Sequence, residues 1–417
     1  MISYNKSKTI LKKSIIKLGD EFINSNKCLN RVISKNIYVS SFYPSGNNAA
    51  FDGYAIKSSD TNKLHKRKYK KFKIIGSIAA GNKPIKKKVK KFQTIEIMTG
   101  ALLPKSFDTI IPIEQINFYP NKKKAKYILI NKKISKFEHV RFKGSDYKKG
   151  DLLISKGTIL QSNHILALKT LGIKKIKVKK KPNILFFSTG NEITNKNVIS
   201  DWEVRNSNSY YINSLNQNFL FNFKDGGILR DNQSNLFKLY INKMLKSKID
   251  LIITSGAVSA GKFDFVPSIV NSFKLSNYFK SVAIRPGKPV LFAKIKGKPK
   301  VIFGLPGNPI SSAACFRFFV YPYLRSLLGI SKEIPIKGVL KNEFIKKKNF
   351  TRFIKSKFST TKNGIVEVKI LKGQESFRIR SFLQSNIWVL LPAGKSKFKK
   401  GETVDCFFPN QPNKILL

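Results

Sequence analysis

The chain has 417 residues, 41% of them hydrophobic, and carries 80 Lys and Arg against 23 Asp and Glu, a formal charge of +57. That length is enough for several domains of about 100–150 residues, each with its own core. Three Cys (Cys28, Cys315, Cys406) and three His (His65, His139, His164) lie far apart and without a CxxC pair, which argues against a disulfide framework, a thiolate or histidine metal centre and Ser-His-Asp chemistry.

No run approaches about 18 apolar residues and no apolar leader opens the chain, so a cytoplasmic protein with no membrane contact is expected. The lysines are spread along the whole length, for example in Lys86-Lys87-Lys88, Asn121-Lys122-Lys123-Lys124 and Lys346-Lys347-Lys348. A dedicated nucleic-acid site calls instead for one concentrated patch with aromatics interleaved. The charge is therefore read as compositional, with salt-sensitive adhesion to polyanions and no specific nucleic-acid partner.

In chain order, a helix is predicted from Ser7 to Leu18. Ser45-Gly46-Asn47-Asn48 then leads to Phe51-Asp52-Gly53-Tyr54-Ala55, where Asp-Gly is a turn signal. Residues 57–139 alternate in period two between Gly and Pro breaks, which predicts a small β domain with Thr99-Gly100 just after a strand. A helix over 162–172 ends on Gly172, and the lysine-rich run after it reads as a connecting strand.

Residues 182–328 alternate apolar strands with helical stretches, the α/β pattern. One strand ends at Ser188-Thr189-Gly190-Asn191-Glu192. Asn206-Ser207-Asn208 precedes a helix through Leu220, and Asp231 follows another short strand. Leu251–Thr254 is β-branched and apolar, and stops at Ser255-Gly256, with Ser259-Ala260-Gly261-Lys262-Phe263-Asp264 beyond it. Val301–Phe303 stops at Leu305-Pro306-Gly307-Asn308-Pro309, and an apolar helix with Ser311-Ser312 near its start follows. Residues 329–417 read as a second small β domain of short alternating strands.

Each of these loops has two readings, an ordinary βα turn or an anion cradle in which small residues let backbone N–H groups approach. Glu192, Asp231 and Asp264 each sit just past a strand end. Any one of them reads also as a helix N-cap. On one parallel sheet the three ends share an edge, where ligands bind. Carboxylates converging there without His or Cys suit a hard cation such as Mg²⁺ held together with substrate phosphates.

Six motifs in this order carry a resemblance: Phe51-Asp52-Gly53-Tyr54-Ala55, Met98-Thr99-Gly100-Ala101, Ser188 to Glu192, Thr254 to Gly261, Arg285-Pro286-Gly287-Lys288-Pro289 and Leu305-Pro306-Gly307-Asn308-Pro309-Ile310-Ser311. Together they resemble the molybdopterin molybdenumtransferase family, MoeA and the gephyrin E domain, over essentially the whole chain. The resemblance implies a multidomain α+β homodimer. Domain I (1–45 and 140–177) is split around an inserted β domain II (46–139). Domain III (178–328) is the α/β molybdopterin-binding domain, three-layered with a mostly parallel sheet. Domain IV (329–417) is a β-barrel.

The implied enzyme is a transferase that inserts molybdate into adenylylated molybdopterin with Mg²⁺-dependent release of AMP. Molybdate and tungstate, tetrahedral dianions of similar size, fit the same donors. Glu192, Asp231 and Asp264 are assigned to Mg²⁺ and to activation of the pyrophosphate, with Asp52 and Thr99 completing the site, Asp52 across the dimer interface. Arg285 and Lys288 neutralise oxyanions. Ser188, Gly190, Ser255, Gly256, Ser259 and Gly261 hold the pterin or phosphates. Pro306, Gly307 and Pro309 shape a rigid loop beside Ser311. In domain IV, Ser376 and Ser381 match a segment facing the cleft. Implied partners are a molybdopterin adenylyltransferase and molybdoenzyme apoproteins or their chaperones.

Four positions depart from the family pattern. A frequent Lys is Ser281, with Lys280 adjacent; the Asp of an Asp-Ser-Asn motif is Asn206; a Gly-Glu pair is Gly261-Lys262; and an Arg at the start of domain IV has Arg352 near it in an unsecured register. Two rivals remain, a molybdopterin-binding scaffold or carrier without turnover and a molybdopterin adenylyltransferase. The second resembles domain III alone, so domains I, II and IV argue against it.

Overall fold

The computed structural model describes residues 1–65, 69–85, 88–215, 220–259, 261 and 264–409. They form two compact units, Met1–Lys35 with Lys156–Ile165 and Lys174–Leu417, and Asn36–Ser155 with Leu166–Ile173.

The second unit is built on a six-stranded sheet in the order Thr109–Pro112, Gly53–Ile56, Gln93–Ile97, Lys70–Ile78, Tyr127–Ile130, Asn117–Tyr119. Alternation explains its two cores. Ala55, Ile95, Ile97 and Ile110 pack on one face, and Tyr54, Ile56, Phe72, Ile111 and Ile128 on the other.

In the first unit the opening helix is Tyr4–Lys13, displaced from the predicted Ser7–Leu18. It starts early because the Ser3 side chain accepts the Lys6 N–H at 3.2 Å. It stops early because the Ser14 hydroxyl turns back to the Ile10 carbonyl at 2.6 Å, while Ile16 and Leu18 join the main core. The lysine-rich run forms Lys175–Lys179, antiparallel to Asp20–Asn24.

The central sheet of this unit runs Asn222–Leu229, Asn183–Thr189, Leu251–Ser255, Val301–Leu305, Leu291–Ile295, Leu275–Lys280. The first four strands are parallel and the last two antiparallel to their neighbours. Residues 296–300 are too few for a crossover and make a hairpin instead. Along the strands, Ile184, Phe186, Ile253 and Phe303 face the helices Asn208–Leu215, Pro309–Cys315 and Tyr321–Leu327. Leu185, Phe187, Ile252 and Ile302 face Ser234–Leu245 and Val266–Asn271. The result is three layers around a sheet buried on both sides. The helix predicted through Leu220 is Asn208–Leu215, and residues 216–219 lie outside the described residues.

After the helix Tyr321–Leu327, the strands Ile336–Leu340, Thr351–Thr360, Val366–Ile370, Ile387–Leu391 and Thr403–Phe407 close into a five-strand barrel. Leu340, Ile354, Val368, Val389 and Cys406 fill it. The two-residue strand Ile284–Arg285 adds in parallel to its rim at Thr351 and Arg352. The three Cys are buried thiols.

Candidate functional site

Four parallel strands of the central sheet point their carboxyl ends the same way, so the loops after Thr189, Leu229, Ser255 and Leu305 line one edge. Glu192, Asp231 and Asp264 stand on the first three, as the sheet argument required. Leu291 pairs with Gly304, so the Arg285–Lys288 loop, just before that strand, comes to the same edge.

Backbone economy shapes these loops. Gly256 has φ +104°, and a Cβ there would sit 2.5 Å from the Thr189 carbonyl oxygen, so only glycine lets the first and third loops touch. Gly190, at φ +136°, lies under the folded-back Glu192 carboxylate. Asn208 Nδ2 donates to the Ser255 hydroxyl at 2.6 Å and to the Gly307 carbonyl at 2.8 Å, tying three loops together. The Ser255 hydroxyl also reaches the Pro306 carbonyl at 3.2 Å. Ser188, Ile193, Asn206, Asn208, Ser255 and Pro309 share one small cleft.

A guanidinium joins the first two carboxylate loops. Arg230 donates to the carbonyls of Asn191 at 2.7 Å and Ile193 at 2.9 Å, and the Asp231 N–H donates to Asn191 Oδ1 at 3.1 Å. Asp264 accepts the Gly261 N–H at 2.7 Å. Ser259 and Gly261 are exposed, whereas Ala260, Lys262 and Phe263 lie outside the described residues. The three carboxylates share an edge but not a cage. Among the described residues, no three His, Cys, Asp or Glu side chains are grouped to hold a metal ion. Their chemistry still fits Mg²⁺, because the loops offer carboxylate and carbonyl oxygens and no thiolate or imidazole.

Beyond the sheet edge stands a cationic wall. Arg285 pairs in register with Arg352 at the start of the barrel. Burial first, then the charge of Arg285, pulls the Arg352 guanidinium below its ordinary value, with Glu375 opposing. Arg352 Nε is enclosed without a partner. Arg285 and Lys288 are exposed, so beside the enclosed Arg352 two cations stand at an open face, a setting for an oxyanion.

Ser376 rides on a loop knitted from below. Lys355, only 1% exposed, donates Nζ to the carbonyls of Glu375 at 3.0 Å and Arg378 at 3.2 Å, on either side of Ser376. Gln374 bonds the Lys355 backbone in both directions. Ser381 is buried, 2.6 Å from the Gly373 carbonyl, so it braces this loop rather than facing the cleft. Pro306 and Ser311 are likewise buried beneath their loop, and Gly307 is exposed on it.

In the second unit, Asp52 and Thr99 meet because Gly53 pairs with Ile97. Asp52 Oδ1 accepts the Thr99 N–H at 2.6 Å and its hydroxyl at 2.7 Å, and these two bonds hold the carboxyl below the ordinary range.

Asn206 is buried and accepts the Ser188 hydroxyl at 2.6 Å, so the amide acts as an internal brace where a carboxylate would bring a buried charge. Sequence reasoning gave no site role to Asn208, Arg230 and Lys355, and it named Arg352 only in an unsecured register. The first two had a signal, an Asn at a helix start and an Arg beside Asp231. Lys355 had none, since an alternating strand position does not announce what its side chain will meet.

Three family models tile the chain: "MoeA N-terminal region (domain I and II)" over residues 2–172, "Probable molybdopterin binding domain" over 186–326 and "MoeA C-terminal region (domain IV)" over 337–407. The molybdopterin molybdenumtransferase of Staphylococcus aureus (strain COL) is 33% identical over 384 residues, covering 91% of this chain and 88% of that one. The protein of the same name from Staphylococcus epidermidis (strain ATCC 35984) is 31% identical, covering 97% and 94%. A crystal structure of the molybdopterin biosynthesis MoeA protein from Pyrococcus horikoshii OT3 superposes with a TM-score of 0.82 at 25% identity, over 98% of this chain and all of that one. By sequence along its length and by its fold, the chain belongs to the molybdopterin molybdenumtransferase (MoeA) family, transferases of molybdenum cofactor biosynthesis.

Proposed function

We propose that the chain inserts molybdate into adenylylated molybdopterin and releases AMP in a Mg²⁺-dependent step. The observation that carries this is the row of Glu192, Asp231 and Asp264 on three adjacent strand-end loops, beside the Gly and Ser loops of the same edge. When bound there, Mg²⁺ would neutralise charge on the pyrophosphate that is cleaved. The chain's own residues do the rest. Gly190, Ser255, Gly256, Ser259, Gly261 and Gly307 let the substrate's phosphates and pterin approach the backbone. Arg230 and Asn208 keep those loops in place, so little reorganisation accompanies the reaction. Arg285, Lys288 and Arg352, with Ser376 on its braced loop, receive the molybdate dianion.

The same reading assigns domains I to IV to the boundaries set out from the sequence. It makes the protein a cytoplasmic homodimer in which Asp52, held by Thr99, completes the site of the second copy. A molybdopterin adenylyltransferase hands over the substrate, and molybdoenzyme apoproteins or chaperones take the product. Among the described residues no helix is long and apolar enough to cross a membrane.

Purified protein, adenylylated molybdopterin, Mg²⁺ and molybdate should give molybdate-dependent AMP release. Asp264→Ala and Glu192→Ala should each slow it by about 100-fold or more, as expected for loss of a charge-organising group. Tight substrate binding with no AMP release by the unaltered chain would turn the reading into that of a carrier.

A further inference from the structure

Away from the strand-end edge, the first unit contains a cavity of about 420 Å³ that the proposed reaction does not use. It lies between the segment 156–164 and the turn at 329–331, which leads into the barrel. The two walls touch closely, because Gly157 adopts φ +84° and a Cβ there would run into the Gly329 carbonyl. A volume of this size is within the range of small-molecule sites, about 300–1,000 Å³.

Its charge is one-sided. Lys156, His164 and Arg325 line it, with Thr158, Gln161 and Ser331, and no lining residue is acidic. Arg325 is only 6% exposed. It donates to the Ser331 carbonyl at 2.7 Å and the Tyr321 hydroxyl at 3.2 Å, while its Nε is enclosed without a partner. Among the described residues no carboxylate pairs with it.

Arg317, two turns earlier, shows the usual arrangement, a comparably buried guanidinium paired with Glu333 at 2.5 Å and bonded to the Phe408 carbonyl at 2.7 Å. A buried cation without an anion carries a desolvation cost, which a counter-ion offsets. His164 adds a directed donor. Its Nδ1 lies 3.0 Å from the Gln161 N–H and accepts it, which leaves Nε2 to carry the ring proton. Burial holds the imidazole below its ordinary value, so it adds no charge of its own at neutral pH.

We propose that this cavity binds a phosphate group, with Arg325 as its buried counter-charge and His164 and Lys156 as donors at its rim. The group is either inorganic phosphate or the anionic end of a small phosphomonoester, and both present the same tetrahedral oxyanion to the guanidinium.

The chain's three histidines make the test specific. Protein labelled with ¹⁵N in histidine is titrated with inorganic phosphate, with chloride holding the ionic strength constant, and the His164 signal is assigned by its loss in His164→Gln. His164 should shift saturably while His65 and His139 stay in place. Arg325→Gln should raise the phosphate midpoint by about tenfold or more, the scale of one lost charge-assisted contact. Lys156→Ala, on the exposed rim, should raise it a few-fold in a chain whose fold is undisturbed. A parallel titration with glycerol 3-phosphate separates the two sources, since tighter saturation by the ester identifies a metabolite's phosphate and equal or weaker saturation the free ion. All three histidines drifting together without saturation, or Arg325→Gln and Lys156→Ala both leaving the midpoint unchanged, would overturn the proposal.

Discussion

Lys355 sets a condition on the site from inside the barrel. Its ammonium is buried against two carbonyls, and burial first, opposed by Glu375 and reinforced by Arg352 and Arg378, brings its pKa down to about 8 from 10.5. Between those values the unfolded chain binds a proton that the native chain does not, so stability rises with pH across this window. Below it, the native chain bears the full cost of a buried charge. Lys355→Met should therefore flatten the gain in stability between about pH 8 and 10.5, measured by urea unfolding at stepped pH. An identical pH slope in the variant would show that the ammonium is solvated in the native chain. The same substitution unties Glu375 and Arg378, so the loop bearing Ser376 loses its brace.

At the scale of elements, Arg317 joins the helical run after Pro309 to the end of the barrel. It sits in the π-helical turn Phe316–Val320, 3% exposed, and bonds Glu333 on the linker and the carbonyl of Phe408 after the last strand. Its guanidinium also lies 5.0 Å from the Tyr321 ring and 5.4 Å from Phe407. Removing the acid leaves the cation buried and half-satisfied. Glu333→Gln should cost roughly 2–3 kcal/mol, less than a fully enclosed pair because Glu333 is partly exposed. A fall in urea midpoint at unchanged slope checks this. An unchanged midpoint would mean that water already supplies the counter-charge.

For the whole molecule, charge is the dominant quantity. Eighty cationic side chains face 23 acidic ones, and some of those acids are engaged in the ion pairs Asp20–Lys179, Glu203–Lys196 and Glu333–Arg317. The excess repels itself over distances comparable with the Debye length, about 10 Å at 0.1 M salt and about 30 Å at 0.01 M. Melting temperature should climb as ionic strength rises from about 0.01 M to about 0.3 M, well inside that screening range. Equal melting temperatures across the series would show that the lysines are too well spaced to interact. The cavity with Arg325 belongs to the same balance, as a place where one specific anion acts where bulk screening does not reach.

The sequence by itself determined the elements and their order. Two-residue alternation marked the sheets, and apolar runs closed by Gly, Ser and Pro marked the strand ends that carry Glu192, Asp231 and Asp264. Such signals are local, because a strand's pattern is written in its own residues. Only the tertiary structure decided which distant positions meet. Arg285 is brought to Arg352 by a two-residue parallel pairing, Asn208 spans the loops of Ser255 and Gly307, and Lys355 rises under Ser376. It also placed Asn206 and Ser381 inside as braces and left the three carboxylates along an edge instead of in a cage. These contacts depend on sheet order, register and side-chain direction, which arise when remote segments pack and leave no periodic trace in any one of them.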